Sequence, residues 1–363
     1  MEEIAVHSFF QKFSSMYIHK TSCISAQNTF SDIDLETINQ SENNVLKVRE
    51  PKYEGIPAGI LRRMGKAVRI GVGSALPLIS SERKPDGIVI GTANGGMEDC
   101  IKFLNQIVQY EEGTLTPTNF VQSTPNAIAG QIGLISANHG YNITHVHRGL
   151  AFENALLDVK MLLLENPNAE YLLGGLDEIS DYNYNIEYLA GWYKKEAASN
   201  IDLYSSQTIG SIAGEGSAMF IVNNNPSDAQ ANIVDLTSLH SNNIEDVKTW
   251  FIAFLEKNNV TVEDIAVLIS GENGDVRLHD YYALIENILK SNSSIVHYKH
   301  FSGEYPTTTA FALWLAIQTS NIDSLPTHFI KQKANTTNKN LCLLYNTYKG
   351  SQHSLILVND IRK

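Results

Sequence analysis

Short apolar runs alternate with helical patterns along the first 225 residues of the chain. Runs that fit β-strands lie at residues 17–24, 87–90, 144–146, 171–173 and 218–222. Apolar residues recur at three-to-four spacing at 60–78, 96–110, 126–138 and 150–164, which predicts amphipathic helices. This alternation of strands and helices is typical of an α/β protein.

A second series of the same kind follows a polar break at residues 223–228. It predicts strands at 232–236, 266–270 and 295–298, helices at 244–257, 278–289 and 307–319, and two closing strands at 341–346 and 354–358. Two similar series predict an internally duplicated α/β fold. We expect an N-terminal half over residues 1–225 and a C-terminal half over residues 226–363.

Composition and charge narrow the class of protein. The chain has 363 residues, of which 43% are hydrophobic and 18% charged, which suits a globular protein with one large core or two joined cores. No apolar stretch is long enough to span a membrane, and the first thirty residues lack a signal-peptide pattern, so we expect a cytoplasmic protein. The formal charge of −12 disfavours nucleic acid or an anionic membrane as a partner, because both reward clustered Lys and Arg.

The three cysteines indicate no special chemistry. Cys23, Cys100 and Cys342 are widely spaced and include no C-x-x-C pair. This spacing favours buried small side chains over a disulfide framework or a zinc site. We therefore expect neither a metal nor a cofactor.

Three further signals are weak when taken singly. The segment GTANGG at 91–96 is similar to a phosphate-binding loop, but it lacks the fuller dinucleotide pattern. His145 and His147 share one face of a predicted strand, without an evident third metal ligand. Asp177 and Glu178 follow a strand at the edge where α/β proteins place functional groups, although capping of the next helix explains them equally well.

One strand–turn–helix segment has the architecture that presents a catalytic nucleophile. Residues 140–163, GYNITHVHRGLAFENALLDVKMLL, give a strand, a tight turn at Gly149 and an apolar-striped helix. A nucleophile at such a turn would be Ser, Cys or Asp, and the turn contains none of these. The segment therefore predicts a scaffold for catalysis without its reacting atom.

Six segments in order resemble the β-ketoacyl synthases, the condensing enzymes of fatty-acid and polyketide assembly. They are YIHKTSCISAQNTF at 17–30, GILRRMGKAVRIGVGSAL at 59–76, GTANGGMED at 91–99, FVQSTPNAIAGQIGL at 120–134, LLGGLDEIS at 172–180 and GEGSAMFIV at 214–222. The resemblance implies the thiolase-like fold, in which two pseudo-duplicated α/β halves form five layers, αβαβα.

The catalytic positions of that family are altered in this chain. The resemblance places Gly149 at the family's nucleophilic Cys, within a margin of one residue. Glu272 stands at the first catalytic His, within one or two positions, and Glu304 stands at the second. Lys299 matches the family's supporting Lys. A carboxylate cannot donate the hydrogen bonds that a malonyl thioester needs, so this resemblance implies a catalytically degenerate site.

The glycine-rich gate loop of the family reads TYKGSQH here, with Tyr348 and Lys349 before Gly350. Loss of function at four separate motifs within a preserved scaffold resembles the chain-length factors, silent subunits that pair with an active synthase and bound its acyl tunnel. The pigment branch, with aryl-polyene and flexirubin-type pathways, is the most similar. The resemblance implies a heterodimer, contact with an acyl carrier protein, and tunnel or interface positions at Phe120, Gln122, Ser123, Thr124, Asn126 and Val146.

Two other functions stay open on the sequence. One is an active synthase or malonyl-thioester decarboxylase with an atypical group such as Cys100. The other is a module that binds an acyl chain or an acidic carrier protein without a synthase partner. Such a module would use exposed basic residues, and the candidates are Arg62, Arg63, Lys66 and Arg69 on one helix and the pair Lys194 and Lys195.

Overall fold

The computed structural model of the protein describes residues 16–80, 84–318, 322–334 and 340–360. Its strands are β1 Met16–Ile24, β2 Val45–Leu46, β3 Gly87–Gly91, β4 Tyr141–His145, β5 Glu170–Asp177, β6 Ala213–Gly214, β7 Gly216–Asn223, β8 Ala231–His240, β9 Ile265–Ser270, β10 Ser294–His297, β11 Ile330–Gln332, β12 Leu341–Tyr348 and β13 Gln352–Asp360. Its α-helices are α1 Ala58–Leu61, α2 Lys66–Ala75, α3 Met97–Gln109, α4 Pro117–Gln122, α5 Ala127–Ser136, α6 Ala151–Glu165, α7 Asp181–Leu189, α8 Ile244–Lys257, α9 His279–Leu289, α10 Lys299–Ser302 and α11 Thr308–Gln318.

The sheet consists of two halves with the same strand order. In the first half the order is β4-β3-β5-β7-β1, with β3 parallel to β4 and β5, and with β7 antiparallel to β5 and β1. In the second half the order is β10-β9-β12-β13-β8, with the same parallel and antiparallel pairings, and β11 is an eleventh strand that pairs antiparallel with β10 at the edge. A short antiparallel contact between β1 and β8 joins the halves. The repeated topology confirms the internal duplication that the sequence predicts.

The helices complete five layers. Helices α6 and α11 pack between the two halves of the sheet, and every residue of α11 from Thr308 to Ile317 is buried. Helices α2 and α5 cover the outer face of the first half, and α8 and α9 cover that of the second. A helix that is apolar on all sides belongs in such a central layer, because both its faces meet a sheet.

The helix predicted over residues 60–78 is interrupted in the structure. It divides into α1, α2 and a 3₁₀ turn over Leu76–Leu78, and Gly65 precedes the first residue of α2. A Cβ built at Gly65 would overlap the carboxylate of Asp99. The close approach of α3 at this point therefore requires glycine and a break, which the apolar spacing alone does not reveal.

The edge strand of the first half lies earlier than predicted. Strand β4 covers Tyr141–His145 instead of 144–146, because its pairing with β3 begins at Tyr141 and ends at His145. Val146 follows the strand and is exposed. The short helices α4 and α7 were absent from the sequence prediction, since their residues lack a continuous apolar stripe. Within the described ranges, no helix is both long and apolar enough to cross a membrane.

Candidate functional site

The turn after β4 keeps a strained elbow but no nucleophile. Arg148–Leu150 forms a 3₁₀ turn before α6, and Arg148 adopts a left-handed conformation with φ of 48°. Gly149 is buried, and its backbone N–H donates a hydrogen bond to Oε1 of Gln352 at 3.1 Å. Backbone N–H groups at such a position can stabilise an oxyanion only when they are free to face it. Gln352 occupies this one.

The gate loop fills the space beside the elbow. A Cβ built at Gly149 would overlap Cβ and Cγ of Tyr348, so the tyrosine occupies the volume that a side chain at 149 would need. Lys349 and Gly350 both have positive φ values, 56° and 67°, which turn the chain tightly between β12 and β13. The hairpin therefore fixes Tyr348 against the elbow.

The predicted positions Lys299 and Glu304 form a buried ion pair. Nζ of Lys299 lies 2.7 Å from Oε2 of Glu304 and donates to Oδ1 of Asn346 at 2.8 Å. Asn273 donates to the same Glu304 oxygen at 2.7 Å. Burial lowers the pKa of Lys299, and the charge of Glu304 opposes that shift. Each charged group thus compensates the other, and neither is free to bind a substrate carboxylate.

Glu272 does not join this pair, although the sequence places it at the same catalytic site. Its carboxylate lies 2.9 Å from His297 and 2.7 Å from Lys331, and Lys331 also contacts Glu286 at 2.6 Å. Burial alone would raise the pKa of Glu272, but hydrogen bonds and charge from His297 and Lys331 lower it to about 2. The residue that contacts Glu304 is instead Asn273, one position along the chain.

Little space remains in the centre of the site. The cavity has a volume of about 20 Å³ and is lined by Glu187, Trp192, Tyr193, Asn273, Leu278, Glu304, Tyr305, Pro306, Tyr348 and Lys349. Such a volume holds about one water molecule, far less than the several hundred Å³ of an ordinary ligand pocket. The cavity in this structure is too small to hold an acyl thioester.

The mouth of the cavity is closed by charged and aromatic side chains. Nζ of Lys349 lies 2.5 Å from a carboxylate oxygen of Glu187 and 5.3 Å from the ring centroid of Trp192. The guanidinium of Arg277 lies 4.1 Å from the same ring centroid and pairs with Asp275. These contacts attach the gate loop to α7 and to the turn before α9.

The cysteines have no activating surroundings. Burial raises the pKa of Cys23 and of Cys342 to about 12, so both are thiols at neutral pH. Cys100 lies in the first turn of α3 and has no histidine or carboxylate hydrogen-bonded to it among the described residues. A nucleophilic cysteine needs a lowered pKa or an adjacent base. The structure therefore gives no support to Cys100 as a replacement nucleophile.

The glycine-rich loop at 91–96 is held by a carboxylate of the same chain. Asp177 accepts hydrogen bonds from the backbone N–H groups of Ala93 and Asn94 at 2.9 and 2.8 Å, and from Thr307. Burial raises the pKa of Asp177 to about 6, while these hydrogen bonds lower it. The loop amides are thus occupied, and Asp177 has a structural role. Glu178 caps α2, because it accepts a hydrogen bond from the N–H of Ala67 at 3.0 Å.

The two histidines of the 144–147 segment have separate partners. Nε2 of His145 contacts Asp158 at 2.9 Å, and Nδ1 of His147 lies 3.5 Å from Nε2 of Gln352. The structure places no third ligand beside both of them within its described part. Their surroundings explain them as hydrogen-bonding groups.

The predicted tunnel and interface positions differ in exposure. Gln122 is buried and bonds its own chain, because Oε1 accepts from the N–H of Gly65 at 2.6 Å and Nε2 donates to Arg63. Ser123 is half-buried and donates to the carbonyl of Phe120. Thr124 is exposed. Gln122 cannot reach a partner from this position, whereas Thr124 can.

A broad apolar surface surrounds these positions, and we call it the β4 face. Its exposed large side chains lie on β4, on the turn after it and on helices α3 to α6, each of which contacts β4 or the next of these helices; they include Leu104, Val108, Phe120, Val121, Leu134, Tyr141, Val146, Leu157, Met161 and Leu164. Asn126, also exposed, accepts a hydrogen bond from Thr144 at 3.0 Å. Strand β4 is an edge strand, so one side of its backbone is free to pair. Exposed apolar patches next to an open edge mark a protein-interaction surface.

The basic residues singled out in the sequence do not form one surface. Lys66 pairs with Glu215 at 2.6 Å, and Arg69 pairs with Glu50 at 2.5 Å. Lys194 is buried, with its Nζ bonded to Ser206, Thr208 and the carbonyl of Gly274. The exposed members of the two clusters are Arg62, Arg63 and Lys195.

The duplicated architecture, with its two sets of five strands and central helices, is that of the thiolase-like fold. Residues 37–206 match the family described as β-ketoacyl synthase, N-terminal domain. No curated protein matches the chain. The predicted resemblance to β-ketoacyl synthases is thus confirmed in sequence over that segment.

Solved structures confirm the fold over almost the whole chain. The ishigamide ketosynthase/chain length factor aligns at TM-score 0.76 and 11% identity, covering 96% of this chain and 100% of that one. A β-ketoacyl synthase from Burkholderia phymatum STM815 aligns at 0.75 and 13%, covering 96% and 100%. The ketosynthase ApeO in complex with its chain length factor ApeC, from Xenorhabdus doucetiae, aligns at 0.74 and 13%, covering 96% and 98%. The predicted thiolase-like fold is therefore correct.

Proposed function

We propose that this chain is a catalytically silent β-ketoacyl synthase-like subunit. It pairs with an active synthase and bounds that partner's acyl tunnel, as a chain-length factor does. The observation that carries the proposal is the filled elbow, where Tyr348 occupies the side-chain volume beside Gly149 and Gln352 takes the backbone N–H. A condensing enzyme needs both places for its thiolate and its oxyanion.

The buried ion pair supports the same conclusion. Lys299 and Glu304 neutralise each other, and the cavity that Glu304 lines has room for about one water molecule. Decarboxylation of a malonyl thioester would need hydrogen-bond donors aimed at its carbonyl oxygen and space for the malonyl group. The pair and the small cavity provide neither, so we prefer a silent subunit to an atypical decarboxylase.

The β4 face supports pairing with another subunit. Val146 and Leu134 are 52% and 75% exposed, and covering such side chains favours association by the hydrophobic effect. Two of the structural neighbours carry ketosynthase and chain length factor in their names. We extend that pairing to this chain. In the pair, the exposed Thr124 would form the floor of the partner's acyl tunnel.

An acyl carrier protein is the second proposed partner. One structural neighbour is described as a type II polyketide acyl-carrier protein in complex with its ketosynthase, at TM-score 0.75 and 10% identity. In this chain the exposed Arg62 and Arg63 are the basic residues available to an acidic carrier. The pigment branch, aryl-polyene or flexirubin-type, is our proposal for the pathway class, and we place the protein in the cytoplasm.

Intact-mass measurement tests whether the chain is silent. The protein is incubated with acyl- and malonyl-carrier thioesters, and we expect no covalent adduct and no release of carbon dioxide. The variant Gly149→Cys restores a thiol at the elbow, and we expect it to gain little condensation activity because Tyr348 obstructs the new thiol. Turnover by the wild-type chain alone would overturn the proposal.

A further inference from the structure

A buried cluster of two carboxylates and one imidazole lies at the carboxyl ends of the parallel strands β9 and β10. Glu272 follows the last residue of β9 by two positions, and His297 is the last residue of β10. Glu286 lies on α9, which packs against β9. The three side chains are at most 10% exposed. This edge of a parallel sheet is where α/β proteins assemble ligand sites.

The distances within the cluster are close to those between the ligands of one metal ion. Nε2 of His297 lies 2.9 Å from Oε2 of Glu272 and 3.4 Å from Oε1 of Glu286. One ligand atom from each residue lies within 4.8 Å of the other two. Ligand atoms bound at about 2.0–2.1 Å to a tetrahedral zinc ion are roughly 3.3 Å apart, so small side-chain movements bring all three to one ion. Ser270 donates to Glu286 at 2.6 Å and orients that carboxylate.

A cation of the chain itself already lies between the two carboxylates. Nζ of Lys331 is 2.7 Å from Oε2 of Glu272 and 2.6 Å from Oε2 of Glu286. The lysine comes from β11, an edge strand of three residues, and its side chain is 36% exposed, so its ammonium can move into water. With a neutral imidazole, two carboxylates and one ammonium keep a net charge of −1, whereas two carboxylates and a divalent ion are neutral. A buried net charge is costly, so the cluster is better matched to a divalent ion.

We propose that Glu272, Glu286 and His297 bind a divalent transition-metal ion such as zinc, and that Lys331 occupies the site in the metal-free protein and is displaced by the ion. An imidazole together with carboxylates suits Zn²⁺ better than Mg²⁺, which prefers oxygen ligands and retains several waters. The bound ion would connect β9, β10 and α9 in the second half of the fold. The inference goes beyond the proposed function, because it concerns an ion and not a partner subunit.

Zinc titration of the protein, prepared without a histidine tag and treated with EDTA, tests the site. Isothermal titration calorimetry with ZnCl₂ should give one ion per chain, and MgCl₂ should not compete. Glu286→Gln should weaken zinc binding at least about tenfold, because a charged ligand is lost. Lys331→Met should tighten it at least about tenfold, because the ion no longer displaces an ammonium. Lys66→Met is the matched control, since Lys66 is 27% exposed and pairs with the buried Glu215, and its zinc affinity should equal that of wild type.

Stability measurements distinguish a metal site from an ion network with a structural role alone. Without metal, Lys331→Met should unfold at lower urea concentration than wild type, because two buried carboxylates lose their cation. Zinc should restore this variant, because an ion that binds only the folded state stabilises it. The proposal is overturned if the wild type binds no zinc, if Glu286→Gln binds it as tightly as wild type, or if Lys331→Met binds it no more tightly. If Lys331→Met does not fold without metal, the comparison of wild type with Glu286→Gln decides alone.

Discussion

The buried ion pair of Lys299 and Glu304 allows a quantitative test of whether this site stabilises the fold. Glu304→Gln keeps the size and shape of the side chain and removes its charge. Lys299 has no exposed surface and lies 2.7 Å from the carboxylate, so the variant leaves a buried ammonium without its counter-charge. Breaking a buried pair from one side costs about 3–5 kcal/mol of unfolding free energy.

Deprotonation of Lys299 limits that cost and makes it depend on pH. Releasing the proton at pH 7 costs about 5 kcal/mol relative to an unfolded lysine with a pKa of about 10.4, and about 2 kcal/mol at pH 9. Once Lys299 has released its proton in the folded variant, the unfolded state binds one more proton than the folded state. The stability of Glu304→Gln relative to wild type should therefore rise as the pH increases from 7 to 9.

Urea unfolding, followed by tryptophan fluorescence at pH 7 and pH 9, measures the change in unfolding free energy. The comparison requires that the slope m of unfolding free energy against urea concentration is unchanged. Glu187→Gln is the control, since its partner Lys349 and Glu187 are each about a quarter exposed and such pairs contribute at most about 1 kcal/mol. The double variant Lys299→Met, Glu304→Leu should be close to wild type in stability. A Glu304→Gln variant no less stable than Glu187→Gln, or one that loses further stability at pH 9, would refute the reasoning.

Three further predictions concern α6, the edge strand and the tunnel turn. Burial raises the pKa of Glu153 to about 7, so the folded carboxyl keeps its proton when the unfolded one has lost it, and wild-type stability falls as the pH rises from about 4.5 to 7. In Glu153→Gln, urea titrations should show roughly 3 kcal/mol less change in unfolding free energy over this pH range. Parallel curves of unfolding free energy against pH for variant and wild type would contradict the prediction. Val146→Asp should weaken pairing without changing the unfolding of the free subunit, whereas Val276→Asp, at a residue 42% exposed elsewhere, should not affect pairing in sedimentation. Thr124→Phe should shorten the product distribution of the reconstituted pair at a similar initial rate, and unchanged product masses with an intact heterodimer would mean that this turn does not bound the tunnel.

The apolar pattern predicted most of the fold because the duplicated halves repeat the same order of elements. Helix α11 and strand β7 are examples in which a long apolar run determines both type and position. The break at Gly65 and the start of β4 at Tyr141 depend on contacts with α3 and β3, which lie far away in the chain. Local periodicity contains no information about such contacts.

The candidate site was predicted only in part. Family motifs pointed to Lys299, Glu304 and Tyr348; in the structure Glu304 and Tyr348 line one small cavity, and Lys299 is paired with Glu304. They could not show that Glu272 turns toward Lys331, since a shift of one residue places Asn273 at the cavity instead. Asn273 and Gln352 were missed because an amide side chain has no distinctive pattern in a sequence.

Stoichiometric pairing with an active ketosynthase is the most direct test of the account. The chain is co-expressed with each ketosynthase of its source organism, and complexes are measured by light scattering and by condensation of acyl- with malonyl-carrier thioester. We predict a 1:1 complex with one of them, whose product forms in the complex and is absent with this chain alone. Condensation by this chain alone, or the absence of a complex with any ketosynthase, would contradict the account.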